Sequence, residues 1–171
     1  MMEGKKTFSE LKALLTGQFG EAIVLHEQAA GLQPSLTVPT ERIAEICRFL
    51  HESPQTYFDL LECLTALDNG PENNTMEVIY HLYSIPYEHA LVLKIVCPRN
   101  AEPGSLPQVP TVSHIWRTAD WHEREAYDLL GIHFSGHPDL RRILLPADWQ
   151  GFPLRKDYEE QELYHGLKVK Y

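Results

Sequence analysis

The sequence predicts an α+β fold: a two-layer domain, a mixed sheet with helices on one face, followed by an extended C-terminal arm. Three observations predict it. Apolar periodicities run along the chain as helix, two strands, helix and then further strands, an order that builds a sheet with its helices on one side. Strict alternation is clearest over 76–84, where Met76, Val78, Tyr80 and Leu82 share one face and Glu77, Ile79, His81 and Tyr83 the other. Beyond Gly131, the residues Gly136, Pro138, Pro146, Gly151 and Pro153 follow too closely for another long helix or a central strand. Residues 1–131 are therefore expected to form the core domain, and 132–171 an ordered, extended arm.

The first element is a short helix over 8–16. Phe8, Leu11, Leu14 and Leu15 recur at helical spacing, Thr7 or Ser9 supplies the cap, and the helix ends near Gly17. Segments 22–28 and 32–38 read as two strands of a hairpin turning at Ala30-Gly31. Pro39-Thr40-Glu41 opens the next helix, with Thr40 as N-cap and Ile43, Ile46, Cys47 and Leu50 along the side expected to cover the sheet. It closes at His51-Glu52-Ser53-Pro54, because the residue before a proline is pushed out of the α region.

Over 57–67 the apolar residues run together, and periodicity leaves open a strand or a helix followed by a strand. Segment 90–96 is rich in branched residues and pairs with 76–84 through Ile85-Pro86-Tyr87 as a second hairpin. Pro98, Pro103, Gly104, Pro107 and Pro110 mark a long loop, and Thr111 begins a helical region through Trp116 and Trp121. A break at Thr118, Ala119 and Asp120 divides this region into two helices, with Asp120 capping the second. Gly131 stops the helix, as the residue that enters the left-handed C′ conformation without a Cβ penalty.

Composition excludes several classes of function. At 171 residues the chain fits one domain with a core and an appendage. A net charge of −9 argues against a nucleic-acid or anionic-membrane surface, which Lys and Arg would have to neutralise. Arg141, Arg142, Arg155 and Lys156 form a basic exception, with Asp139, Asp148 and Asp157 close by or an acidic partner as alternative counter-charges. Cys47, Cys63 and Cys97 are odd in number and widely spaced, which fits free thiols buried as small hydrophobes rather than a disulfide framework or a metal site. The N-terminal pattern is a short amphipathic helix, not a signal peptide, and no window offers the ~18 consecutive apolar residues of a membrane span. A role at a membrane would then depend on another polypeptide.

The stretch 121–158 is the richest in charge and aromatic residues. Glu123, Tyr127 and Leu130 fall on one helical face, and Arg124 and Asp128 are i, i+4 neighbours on another. Glu123 and Glu125 point to different sides, which favours one carboxylate engaged locally and one solvated over an acid/base pair. His122 beside Glu123 lacks the second histidine of H-E-x-x-H, so a hydrolase built on His133, His137 and Glu123 is a remote metal reading. Neither a phosphate-binding glycine loop, a nucleophile elbow nor a dinucleotide fingerprint is present. The extended segment carries Phe134, Leu140, Ile143, Leu144, Leu145, Trp149 and Phe152 together with backbone groups that no ladder satisfies. Two arrangements answer both needs: an arm laid on another protein, or a tail folded back on its own domain.

Four blocks in this stretch carry a family resemblance: Glu123-Arg124-Glu125, Asp128-Leu129-Leu130-Gly131, the run His137-Pro138-Asp139-Leu140-Arg141-Arg142-Ile143-Leu144, and Pro153-Leu154-Arg155-Lys156-Asp157-Tyr158. In order and spacing they resemble the C-type subunit, also known as the 30 kDa-type subunit, of proton-pumping NADH:quinone oxidoreductase, respiratory complex I. The resemblance implies the same two-layer fold, with an arm reaching over a neighbour. It implies a non-catalytic member of the peripheral arm, docked beside the D-type subunit and other peripheral-arm subunits on the cytoplasmic side of the membrane, with FMN, Fe–S clusters and quinone held in other subunits. Related subunits of membrane-bound hydrogenases and of complexes fed by ferredoxin or a deazaflavin share the fold. Glu123, Arg124, Glu125, Asp128, Gly131, His137, Pro138, Arg141, Arg142, Arg155, Asp157 and Tyr158 are implied to order the arm and its interface, not to catalyse.

Overall fold

The computed structural model describes residues 4–100 and 104–170; Pro103 of the expected loop and the first three residues of the N-terminal pattern lie outside the described residues. Helix α1 (Phe8–Phe19) is followed by β1 (His26–Gln28), β2 (Ser35–Thr37), α2 (Ile43–Glu52), β3 (Leu60–Asp68), β4 (Thr75–Ser84), β5 (His89–Pro98), β6 (Gln108–Pro110), α3 (Thr118–Leu130), β7 (His133–Ser135) and the small pair β8 (Leu163–Tyr164) and β9 (Leu167–Lys168). The main sheet has the order β1-β2-β5-β4-β3, with β2 parallel to β5 and every other pairing antiparallel. It is the mixed sheet of the α+β fold that the sequence predicts.

The β4/β5 hairpin forms the centre of the sheet, in unbroken register from Thr75 opposite Pro98 to Ser84 opposite His89. Its alternation sorts as expected: Met76, Val78, Tyr80 and Leu82 are buried, and Glu77, Ile79, His81 and Tyr83 are half-buried on the other face. The buried face joins Leu91, Leu93 and Ile95 of β5, Leu11 and Leu15 of α1, Ile43, Ile46 and Leu50 of α2, and Ala126 and Leu130 of α3 in one core. Residues 57–67, left open by periodicity, resolve as the strand: a short irregular stretch, 57–59, leads into β3. This edge strand and the residues leading into it are shielded by polar side chains. Trp116 Nε1 donates to the Phe58 carbonyl (3.0 Å), Thr118 Oγ1 to the Leu61 carbonyl (3.3 Å), and His122 Nδ1 accepts the Leu64 N–H (3.3 Å).

Five local expectations need correction. Helix α1 runs through Gly17 to Phe19 and stops at Gly20, where φ is 87°; the Thr7 cap is as expected, strengthened by a reciprocal bond from Thr7 N–H to Glu10 (2.7 Å). The first two strands are shorter than expected, because residues 21–23 form a 3-10 turn and only His26–Gln28 pairs with Ser35–Thr37. Thr40 does not cap α2: its hydroxyl donates to the Val96 carbonyl (3.2 Å), and a 3-10 turn, Thr40–Arg42, precedes the helix. The region after Thr111 is not two helices; residues 113–115 are a turn, and α3 runs unbroken from Thr118 with Asp120 inside its first turn. Cys47 and Cys97 are buried, but Cys63 is exposed on β3.

Strand β7 lies parallel to β6 and brings Phe134 and Val109 into the core, together with Ile132. The chain past Gly131 thus begins inside the domain before it turns outward at Gly136.

Candidate functional site

The residues of the four motif blocks lie on or against α3, with the 128–131, 142–144 and 153–155 segments gathered at its C-terminal end. A helix leaves its last four carbonyls without intrahelical partners, and here each finds one. Gly131 N–H bonds to the Tyr127 carbonyl (2.9 Å), Arg142 Nη1 to the Asp128 carbonyl (2.9 Å), Leu154 N–H to the Leu129 carbonyl (3.0 Å) and Arg155 Nε to the Leu130 carbonyl (2.7 Å). Three of the four partners come from the arm. Gly131 takes φ 72° and ψ 39°, as the helix stop requires. A Cβ there would also lie 2.5–2.7 Å from the Phe152 ring, which sits between the Arg142 and Arg155 guanidiniums at 5.2 and 4.8 Å.

Asp128 holds the middle of the arm. Its Oδ2 accepts the N–H groups of Ile143 (3.0 Å), Leu144 (2.7 Å) and Leu145 (2.9 Å), and its Oδ1 accepts from Arg142 Nη1 (2.8 Å). Burial works to raise this carboxyl's pKa, but the three amides and the guanidinium outweigh it and hold the group below its ordinary value. Arg142 reaches on to the Gly151 carbonyl (2.9 Å).

A second fastening uses residues outside the four blocks. Asp68, at the end of β3, accepts Gly70 N–H (3.0 Å), Arg99 Nε (2.8 Å) and Lys156 N–H from the arm (2.8 Å). Arg99 also grips Asp157 with both terminal nitrogens, Nη1 at 3.0 Å and Nη2 closer still. Asp68 and Arg99 are buried, so this is an ion pair closed off from solvent whose remaining polar atoms are bonded. Burial acts to raise the Asp68 carboxyl, yet its amide and guanidinium donors leave it lowered; Asp157 is lowered chiefly by Arg99. Nothing in the spacing of Asp68, Arg99 and Asp157 announces the triad; the Asp68-Asn69-Gly70 turn is the sole local signal.

Glu123 holds the turn that leads into α3. Fully buried, it accepts Val112 N–H at Oε1 (2.7 Å) and the Thr111 hydroxyl at Oε2. Burial pushes its carboxyl up to about 7 despite those two donors. His137 packs beside it, its Nε2 directed to the Asp120 carbonyl (3.2 Å) while its Nδ1 accepts Asp139 N–H (3.0 Å). Glu125, two positions on, is exposed, so the expected split between an engaged and a solvated carboxylate is seen.

Arg124 lies over the Trp121 ring at 5.2 Å and donates from Nε to the Arg141 carbonyl (3.3 Å). Tyr158 accepts Trp149 Nε1 at its hydroxyl (3.1 Å) and covers Gly151, where a Cβ would come within 2.9 Å of the ring. Pro138 and Arg141 are exposed, Arg141 pairing with Asp139 at 3.0 Å. Of the basic run, Arg141 takes the local alternative, Asp139; Arg142 and Arg155 instead spend most of their hydrogen bonds on backbone carbonyls.

The site therefore fastens a chain segment rather than presenting reactive groups. Among the described residues no group of three or more His, Cys, Asp and Glu is placed to hold a metal ion. Burial pushes the Cys47 thiol far up and the Cys97 thiol up to about 11, which disfavours the thiolate needed for ligation or attack. The outward side of the arm is apolar in places: Leu144, Leu154, Leu163 and Leu167 are 58–71% exposed.

Known proteins share this architecture. The family model for the respiratory-chain NADH dehydrogenase 30 Kd subunit matches residues 36–163. The C-type subunit of the NADH-quinone oxidoreductase of Chlorobium phaeobacteroides is 41% identical over 155 residues, covering 90% of this chain and 90% of its own. One of the C-type subunits of the NADH-quinone oxidoreductase of Rhizobium meliloti is 46% identical over 144 residues, covering 84% and 75%. Among solved structures, a chain of the membrane-bound sulfane sulfur reductase, an archaeal respiratory membrane complex, superposes with a TM-score of 0.71 at 23% identity, over 88% of this chain and 85% of its own, a likeness of fold. With a match that takes in all four motif blocks and both fastenings, the chain belongs to the family of the 30 kDa subunit of respiratory-chain NADH dehydrogenase.

Proposed function

We propose that this chain is a non-catalytic member of the peripheral arm of an NADH:quinone oxidoreductase, bound to the D-type subunit through the outward side of residues 137–170. The complex passes electrons from NADH through FMN and Fe–S centres to quinone and couples them to proton translocation; this chain contributes shape and position. The carrying observation is that the arm's amides at 143–145, 154 and 156 are committed to its own domain while Leu144, Leu154, Leu163 and Leu167 are exposed. Leucines presented on a hydrogen-bonded support suit a permanent interface, since less backbone ordering entropy is lost on docking than from an unfastened tail. The relatives at 41–46% identity are NADH-quinone oxidoreductase subunits, which favours this complex over a hydrogenase or a ferredoxin-fed relative. A peripheral position on the cytoplasmic face, held through other subunits, fits a chain in which no described helix is long and apolar enough to cross a membrane.

The test is co-purification of the tagged chain from membranes. Leu144→Asp combined with Leu163→Asp and Leu167→Asp is expected to leave the domain folded and to lose the D-type subunit from the purified material. Retention of that neighbour at the unmutated level by a folded triple variant would overturn the proposed docking face.

A further inference from the structure

We propose that Glu123 is a proton-binding site of the native chain, loaded and emptied through the hydroxyls of Thr111 and Ser113 without movement of the surrounding fold. The inference is independent of the docking proposal. It starts from a carboxyl that is wholly buried and has no strong cation to hold its charge. Among the described residues the basic group within 4 Å of its oxygens is His137, at 3.9 Å. That ring accepts Asp139 N–H at Nδ1, so its proton sits on Nε2 and is directed at the Asp120 carbonyl instead.

Asp120 lies one turn back on α3 and acts to raise the carboxyl. Cys47 of α2 and Tyr80 of β4 face it through the core as neutral groups, their own protons held more tightly by burial and by the Glu123 charge. A neutral carboxyl suits that surrounding better than a carboxylate.

The heavy atoms around Glu123 accept either protonation state. Thr111 Oγ1 lies against Glu123 Oε2, is 2.8 Å from Ser113 Oγ and accepts Ser113 N–H at 3.1 Å. With Glu123 ionised, Ser113 O–H donates to Thr111 and Thr111 O–H donates to Glu123. With Glu123 neutral, both donations reverse, and no atom other than hydrogen moves. Unloading breaks the Glu123 O–H bond and forms one on Thr111; Thr111 passes its own proton to Ser113, and Ser113 passes its proton to water. Ser113 is half-buried and its neighbour His114 is exposed, so the chain of hydroxyls ends at the surface. Each hydroxyl oxygen loses one proton and gains one, and the net change is a single proton moved from Glu123 to solvent.

The experiment is a pH titration by carbon NMR of the full chain with labelled glutamate side chains. One carboxyl is expected to titrate near 7, apart from the other glutamates, and to vanish in Glu123→Gln, which keeps the shape of the neutral acid. Ser113→Ala is expected to leave the midpoint in place while slowing exchange between the two forms. Thr111→Val, which removes a donor to the ionised form, should raise the midpoint, and it identifies the group even if Glu123→Gln fails to fold. Titration of every glutamate in the ordinary carboxylate range would overturn the site. Unchanged exchange in both Ser113→Ala and Thr111→Val would overturn the relay.

Discussion

Three amide N–H groups and a guanidinium converge on the Asp128 carboxylate, and replacing it with an amide turns an acceptor toward which all four point into one that also donates. Asp128→Asn is therefore expected to lower the free energy of unfolding by roughly 2–4 kcal/mol, read from urea denaturation. Glu123 and the fastening aspartates give opposite pH dependences. The folded-state pKa of Glu123 is raised to about 7, so its contribution is fully present below its unfolded value of roughly 4.3 and is lost as pH rises through about 7. Asp68, Asp128 and Asp157 are lowered, so their contribution is present above roughly 3.9 and is lost as pH falls through their depressed folded values. His89, whose imidazole burial pushes down, opposes Glu123 in the upper part of that window, because its unfolded form binds the extra proton. The difference between wild type and Glu123→Gln isolates the effect: on the order of 3 kcal/mol of change between about pH 4.5 and 7, absent from the variant. Equal slopes in the two proteins would contradict the assignment of Glu123.

At the scale of elements, α3 is finished by its neighbours. Gly131→Ala meets two penalties, a left-handed backbone and the Phe152 ring, and is expected to cost more than about 1 kcal/mol. Pairing it with Phe152→Ala relieves the second penalty only, so the two losses should be less than additive in a double-mutant cycle. Arg99→Met leaves Asp68 buried without its guanidinium and is expected to cost roughly 3–5 kcal/mol, with the Lys156 amide the first to lose protection from hydrogen exchange. These elements also show what can be read in the sequence and what cannot. The β4/β5 hairpin is legible because one face meets the core and the other does not, which writes period two into the side chains. Gly131 is legible because one backbone conformation demands it. The Asp128 cluster is not, since three of its partners are main-chain amides 15–17 positions on and amides leave no trace in residue identity. Asp68 and Arg99 stay hidden because 31 positions separate them and 88 separate Asp68 from the Lys156 amide. Thr40 misleads because its hydroxyl is taken by the Val96 carbonyl, a contact across the fold that outcompetes the local cap.

At the scale of the whole molecule, the arm is anchored in its middle and again near its end. Of the two arrangements open to the charge- and proline-rich tail, the fold shows it laid on its own domain, with the amides of Ile143, Leu144, Leu145, Leu154 and Lys156 bonded to α3 and to the end of β3. Leu144, Leu154 and the leucines of the β8/β9 hairpin stay exposed. Shape and docking are thus separate properties: the fastenings set the shape, and the leucines offer the surface. The most direct measurement is hydrogen exchange on the full chain free of partners. The account requires the amides of Ile143, Leu144, Leu145, Leu154 and Lys156 to be protected alongside those of β4 and β5; exchange at these amides as fast as in an unstructured peptide, with the sheet still protected, would contradict it.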